Sequence, residues 1–135
     1  MLRTICYVST AVPTLDQDQL ETLYSQVITN NLGLKITGVL LFSQGNFMQI
    51  MEGDTAVIDQ IYQKISKDER HHHLFKLIDR TVDQRIFENY SNGFTIVKDE
   101  KAIFKLNLYL KWLRANFEDD TADFAEIIKP FLRYV

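Results

Sequence analysis

Three side chains have the types and the setting for chemistry: Tyr7, Asn31 and Gln49. Gln49 lies within Phe47-Met48-Gln49-Ile50-Met51-Glu52-Gly53. Alternation along a strand puts Phe47, Gln49 and Met51 on one face and Met48, Ile50 and Glu52 on the other. With the first face as core, Gln49 is an amide among apolar neighbours. A buried amide without hydrogen-bond partners costs stability. A phenol such as Tyr7 and a heteroaromatic ligand would supply those partners, which points to a binding pocket inside a small domain. Taken singly, each residue has a plainer reading: a strand tyrosine packs in a core, and Asn31 ends a helix.

Other chemistry is poorly supplied. His71, His72 and His73 are consecutive, and neighbours on an extended segment face opposite ways, so one compact metal site is not expected from them. Cys6 is the single cysteine, in an apolar run, and reads as a small buried hydrophobe. No Ser-His-Asp set or pair of catalytic carboxylates stands out, so a conventional enzyme is not expected. Lys64, Lys67 and Arg70 surround the end of a helix. They read equally as a solvated helix end or as a phosphate contact. There is no glycine-rich phosphate loop.

The elements that must position these residues follow from periodicity. Leu2–Ser9 reads as a strand. Thr14 with Gln17 fits a capping box, and Leu20, Leu23, Tyr24, Val27 and Ile28 recur at helical spacing to about Asn30. Asn31 and Gly33 are the expected stop. Ile36–Phe42 and Phe47–Glu52 read as strands joined through Ser43-Gln44-Gly45-Asn46. Asp54 would cap a second helix with the stripe Val57, Ile58, Ile61, Tyr62 and Ile65. Leu74–Val82 and Tyr90–Val97 are two further strands. The order β-α-β-β-α-β-β predicts an α+β, ferredoxin-like sandwich, with two helices on one face of a mixed sheet. In that topology the first and third strands are neighbours, and Tyr7 and Gln49 point into one gap. Ile103, Leu106, Leu110, Leu113 and Phe117 make a third helix, and Phe124, Ile127, Ile128, Phe131 and Leu132 a fourth, disturbed by Pro130. We expect residues 1–98 as the domain and 99–135 as a helical pair packed on the other sheet face, in one compact unit.

With 135 residues, 46% of them hydrophobic, the chain suits one domain with a real core. A net charge of −3 does not favour nucleic-acid binding. No apolar run approaches the roughly 18 residues of a membrane span, and the N-terminus makes no convincing signal peptide. A cytoplasmic protein without membrane or nucleic-acid partners is expected.

The pieces Tyr7-Val8-Ser9, Asn31 with Ile36-Thr37-Gly38, Phe47-Met48-Gln49, Glu52-Gly53, Asp68-Glu69-Arg70-His71 and Arg85-Ile86-Phe87 together resemble a BLUF domain, a flavin-based blue-light sensor. The resemblance covers about residues 2–97 and a short helical tail. It implies FAD or FMN as cofactor. Asn31 would bond the flavin's O4 and N3 edge, Arg70 would face its O2 side, and Asp68 would lie near the ribityl or ring edge. Leu23 and Ile65 would pack on the ring faces and His71 would support the pocket; on the phosphate-contact reading of the helix end, Lys64 would meet the flavin's tail. Tyr7 would donate an electron and a proton, and Gln49, bridging Tyr7 and the flavin, would rotate or tautomerise. The implied product is a stronger hydrogen bond at O4 and a red-shifted spectrum.

One departure stands out. The family usually carries Trp-Ser-Met on its last strand, where this chain has Tyr90-Ser91-Asn92. Asn92 is then a candidate partner of Gln49, and Tyr90 a candidate second electron donor, in transmitting the signal. Output would pass to an unidentified partner protein, and the tail's Tyr109, Trp112 and Phe131 allow self-association. The competing reading is a flavin-free ferredoxin-like regulatory or scaffold module.

Overall fold

The computed structural model describes residues 1–116 together with Glu126 and Lys129. The elements are β1 (Leu2–Ala11), α1 (Gln17–Gly33), β2 (Thr37–Ser43), β3 (Asn46–Asp54), α2 (Thr55–Ser66), β4 (His71–Val82), β5 (Phe94–Val97) and α3 (Glu100–Asn116). The fourth helix expected around Phe124–Leu132 lies outside the described residues. The chain divides into two compact units, Met1–Ile96 and Val97–Val135.

The five-stranded sheet has the order β4-β1-β3-β2-β5. β1 pairs antiparallel with both β3 and β4, and β2 pairs antiparallel with β3. Each helix therefore crosses over a strand inserted between the two that it connects, which is the ferredoxin-like arrangement. Leu20, Leu23 and Tyr24 of α1 and Ile58 of α2 share one core with Ile5, Tyr7, Leu40, Phe47 and Met51, so both helices cover the same sheet face. In the register, Gln49 stands opposite Tyr7 on one side and Leu40 on the other.

The turns follow their residue types. Gln44 and Gly45, at φ 52° and 79°, form a two-residue hairpin loop between paired Ser43 and Asn46. Gly38 has φ 145°, and a Cβ there would lie 1.9 Å from the Ile50 carbonyl oxygen, so no other residue fits. Asp54 caps α2 by accepting from the Ala56 N–H at 3.2 Å.

Four local expectations are corrected. Helix α1 is capped by Asp16, whose Oδ1 accepts from the Gln19 N–H at 2.8 Å while Gln19 Oε1 accepts from the Asp16 N–H at 2.9 Å. Thr14 and Leu15 are spent in a turn closed by Leu15 N–H to the Val12 carbonyl, which delays the cap by two residues. At the other end α1 continues through Asn31 to Gly33, and Lys35 takes the left-handed turn at φ 57°. Strand β5 begins at Phe94 because Ser91 and Gly93 have φ 54° and 98°, which a strand cannot hold; Tyr90–Gly93 is a turn. Finally, the register slips between Val8/Phe75 and Thr10/His72, and His73 has φ 55°. This bulge cancels the alternation, and the His72 and His73 rings approach to 4.3 Å. No group of three or more metal-binding side chains occurs among the described residues.

In the second unit, α3 buries Ile103, Leu106, Leu110 and Leu113 and leaves Phe104, Leu108 and Trp112 exposed. No helix among the described residues is long and apolar enough to cross a membrane.

Candidate functional site

A pocket of about 180 Å³ opens between α1, α2 and the sheet. Its aliphatic walls come from the two helices: Leu23 and Val27 from α1, Ile61 and Ile65 from α2. Tyr7, Leu40, Phe47 and Gln49 of the sheet line it, and Asn31 reaches it from the last turn of α1.

The polar part is a short chain of bonds. Gln49 Nε2 donates to Tyr7 Oη at 2.6 Å, and Asn31 Nδ2 donates to Gln49 Oε1 at 3.3 Å. All three are buried. Burial pushes the Tyr7 phenol far above its ordinary range, and the Gln49 bond opposes this only in part. Tyr7 therefore keeps its proton at neutral pH. Tyr62 of α2 meets the Tyr7 ring edge-on, with centroids 6.0 Å apart.

The rim is charged. Arg70 donates through Nε and Nη2 to Asp68, at 3.0 and 2.7 Å, and through Nη1 to Gln26 Oε1 at 2.9 Å. The guanidinium holds the Asp68 carboxyl below the usual range, and Asp68 raises Arg70 in turn. Lys64 also lines the rim. His71 fastens a wall: its Nε2 lies 2.7 Å from the Ile65 carbonyl and its Nδ1 2.7 Å from Ser9 Oγ. A carbonyl only accepts, so Nε2 carries the hydrogen and Nδ1 is left to accept from Ser9.

Tyr7, Leu23, Asn31, Gln49, Lys64, Ile65, Asp68, Arg70 and His71 thus line one pocket. Tyr90 and Asn92 do not. Asn92 is exposed in the turn, and the bonds of the Gln49 side chain go to Tyr7 and Asn31. The expected bond from Asn92 to Gln49 is therefore absent, because the turn ends before β5 begins. Tyr90 is half-buried against Phe87, with centroids 5.9 Å apart. Sequence reasoning missed Gln26 and Asn30 as lining residues. Their signal was available: both lie three and seven positions after Leu23 on the pocket face of α1.

A buried amide pair and a phenol in a pocket with aliphatic walls suit a flat heteroaromatic ring with donor and acceptor atoms on one edge. The fold and site thus define an α+β receptor for such a ring. A family model described as sensors of blue light using FAD, the BLUF family, matches residues 2–93. The chain belongs to this family, and its cofactor is a flavin, FAD or FMN.

Among curated relatives, the alpha subunit of a photoactivated adenylate cyclase from Euglena gracilis is 29% identical over 64% of this chain and 8% of its own length. The blue light- and temperature-regulated antirepressor BluF of Escherichia coli is 31% identical over 58% of this chain and 19% of its own. This chain thus spans a small part of these relatives. Among solved structures, the BLUF protein BlrB in its dark state superposes with a TM-score of 0.70 at 25% identity, covering 94% of each chain. Klebsiella pneumoniae BlrP1 with FMN gives 0.64 at 28% identity, covering 96% of this chain and 30% of its own.

Proposed function

We propose that this chain senses blue light through the Tyr7–Gln49–Asn31 chain of bonds and passes the signal to a protein partner by contact. A bound flavin absorbs blue light and becomes a strong one-electron oxidant. Asn31 and Gln49 offer amide edges to the ring, Leu23 and Ile65 its aliphatic faces, and Arg70 with Asp68 and Lys64 the charged rim. The pocket falls below the roughly 300 Å³ of drug-sized sites, which suits a ring held inside with its tail at the rim.

The observation that carries this reading is the buried Gln49 amide, bonded at both ends, with Nε2 toward Tyr7 and Oε1 toward Asn31. An amide has a donor end and an acceptor end, so rotation by half a turn reverses both contacts together. Oε1 would then accept from the Tyr7 hydroxyl, and Nε2 would face Asn31 as a donor, which is satisfied once the Asn31 amide turns its own oxygen toward it. In a buried network each arrangement must satisfy every member, so the two are discrete states. Tyr7, neutral and adjacent, is the chain's own source of the electron and the proton.

The names of the Euglena and Escherichia coli relatives pair light with an effector. By analogy, we assign the signal of this domain to an effector protein. The test is an absorption spectrum of the purified protein, reconstituted with FAD or FMN, before and after blue light. A flavin band that shifts reversibly to the red supports the reading. A bound flavin without a shift removes the Tyr7–Gln49 mechanism. No uptake of either flavin supports the interaction module instead.

A further inference from the structure

We propose that Glu52 is a positioning residue that ties the 85–93 segment to the strand carrying Gln49, so that rearrangement at Gln49 is read out along Tyr90–Gly93. The inference rests on the light-sensing function proposed above. Glu52 is fully buried, at 0% exposure. Its Oε1 accepts from the Thr37 hydroxyl at 2.7 Å and the Phe87 N–H at 2.6 Å, and its Oε2 accepts from the Ile86 N–H at 2.8 Å. Arg85 Nη1 donates to the Glu52 carbonyl at 3.2 Å, to Thr37 Oγ1 at 3.0 Å and to the Lys35 carbonyl at 2.6 Å. One residue of β3 thus engages three successive residues of another segment. A carboxylate accepts only, and all its partners here donate. An amide in its place would set one N–H against another.

The tie continues along the segment. The Phe87 carbonyl accepts from the Tyr90 N–H, the Tyr90 carbonyl from the Gly93 N–H, and the Gly93 carbonyl from the Gly38 N–H, at 3.1, 3.1 and 2.9 Å. Gly38 in turn lies against the Ile50 carbonyl, where even a Cβ would collide. The segment is therefore fastened at one end to Glu52, three positions from Gln49, and at the other to Gly38 of β2, which pairs with Met51 of β3. The turn that replaces the family's usual Trp-Ser-Met hangs between the two fastenings.

Amide hydrogen exchange tests this on Glu52→Gln, with Thr37→Val as a milder variant and Thr37→Ser as its rescue. In flavin-free protein, loss of a bond to a charged acceptor should speed exchange at Ile86 and Phe87 about tenfold or more. In FAD-loaded protein, blue light should change exchange across 85–93 in the wild type. Glu52→Gln should retain the red shift but lose most of that change. If Glu52→Gln does not fold, Thr37→Val should show a partial loss that Thr37→Ser restores. A variant with the wild-type light response in 85–93 overturns the inference alone. Absence of a red shift in the wild type overturns the proposed function and this inference with it.

Discussion

The buried Gln49 side chain is bonded at both ends, to Tyr7 and to Asn31. Gln49→Leu and Tyr7→Phe should each leave flavin bound and abolish the reversible red shift, measured by difference absorption. Asn31→Ala should weaken flavin binding by about 10- to 100-fold, the cost of about 1–3 kcal/mol for a lost buried amide contact, read by fluorescence titration. A surface residue supplies the pH test. Arg3, then Lys76, hold the Asp79 carboxyl well below its usual range. Its folded value lies below its unfolded value, so the stabilisation from its ion pairs is fully present above the ordinary carboxylate range and is lost as pH falls from that range through the lower folded value. Asp79→Asn should flatten the acid limb of a urea-unfolding series by no more than about 1 kcal/mol, because the group is largely exposed. Gln49 was legible in the sequence because a mid-strand amide needs an explanation. Glu52 was not, because an acid near a strand end reads as solvated until Ile86 and Phe87, far along the chain, are seen to donate to it.

At the scale of elements, periodicity located every strand and helix of the first unit; it ended β1 two residues early and began β4 three residues late, and its larger errors fell where backbone handedness overrides it. Ser91 and Gly93 shorten β5, and His73 bulges β4. Neither is visible as a break in hydrophobic pattern. The cap of α1 also slipped, because Thr14 and Asp16 both carry capping oxygens and only the preceding turn decides between them. Asp16→Ala should cost about 1 kcal/mol in chemical unfolding. Gly38→Ala is the severe element-level test. Its φ and the 1.9 Å approach to the Ile50 carbonyl should cost about 3 kcal/mol or more, seen as loss of soluble protein or of cooperative unfolding.

For the whole molecule, the interleaved strand order brings Tyr7 beside Gln49 across 42 positions of sequence. No local rule supplies that neighbourhood; topology does. A ligand seated among β1, β3 and both helices binds the folded state alone. Flavin at about 100 times its dissociation constant should therefore stabilise the protein by about 2.7 kcal/mol, and its removal should lower the thermal midpoint. The junction of β3 and α2 carries a mechanical corollary. The strand ends at Asp54 and the helix begins at Thr55, with no linker between them. Thr55 is also pinned at the junction, its N–H and hydroxyl both donating to the Met1 carbonyl at 3.0 Å. Such a joint has little slack, so a lengthwise displacement of β3 at Gln49 would be passed on to the helix. Because α2 supplies Ile61 and Ile65 to the pocket wall, a shift of the strand that carries Gln49 would also move one wall of the pocket, and the hold on a bound ring would change with it.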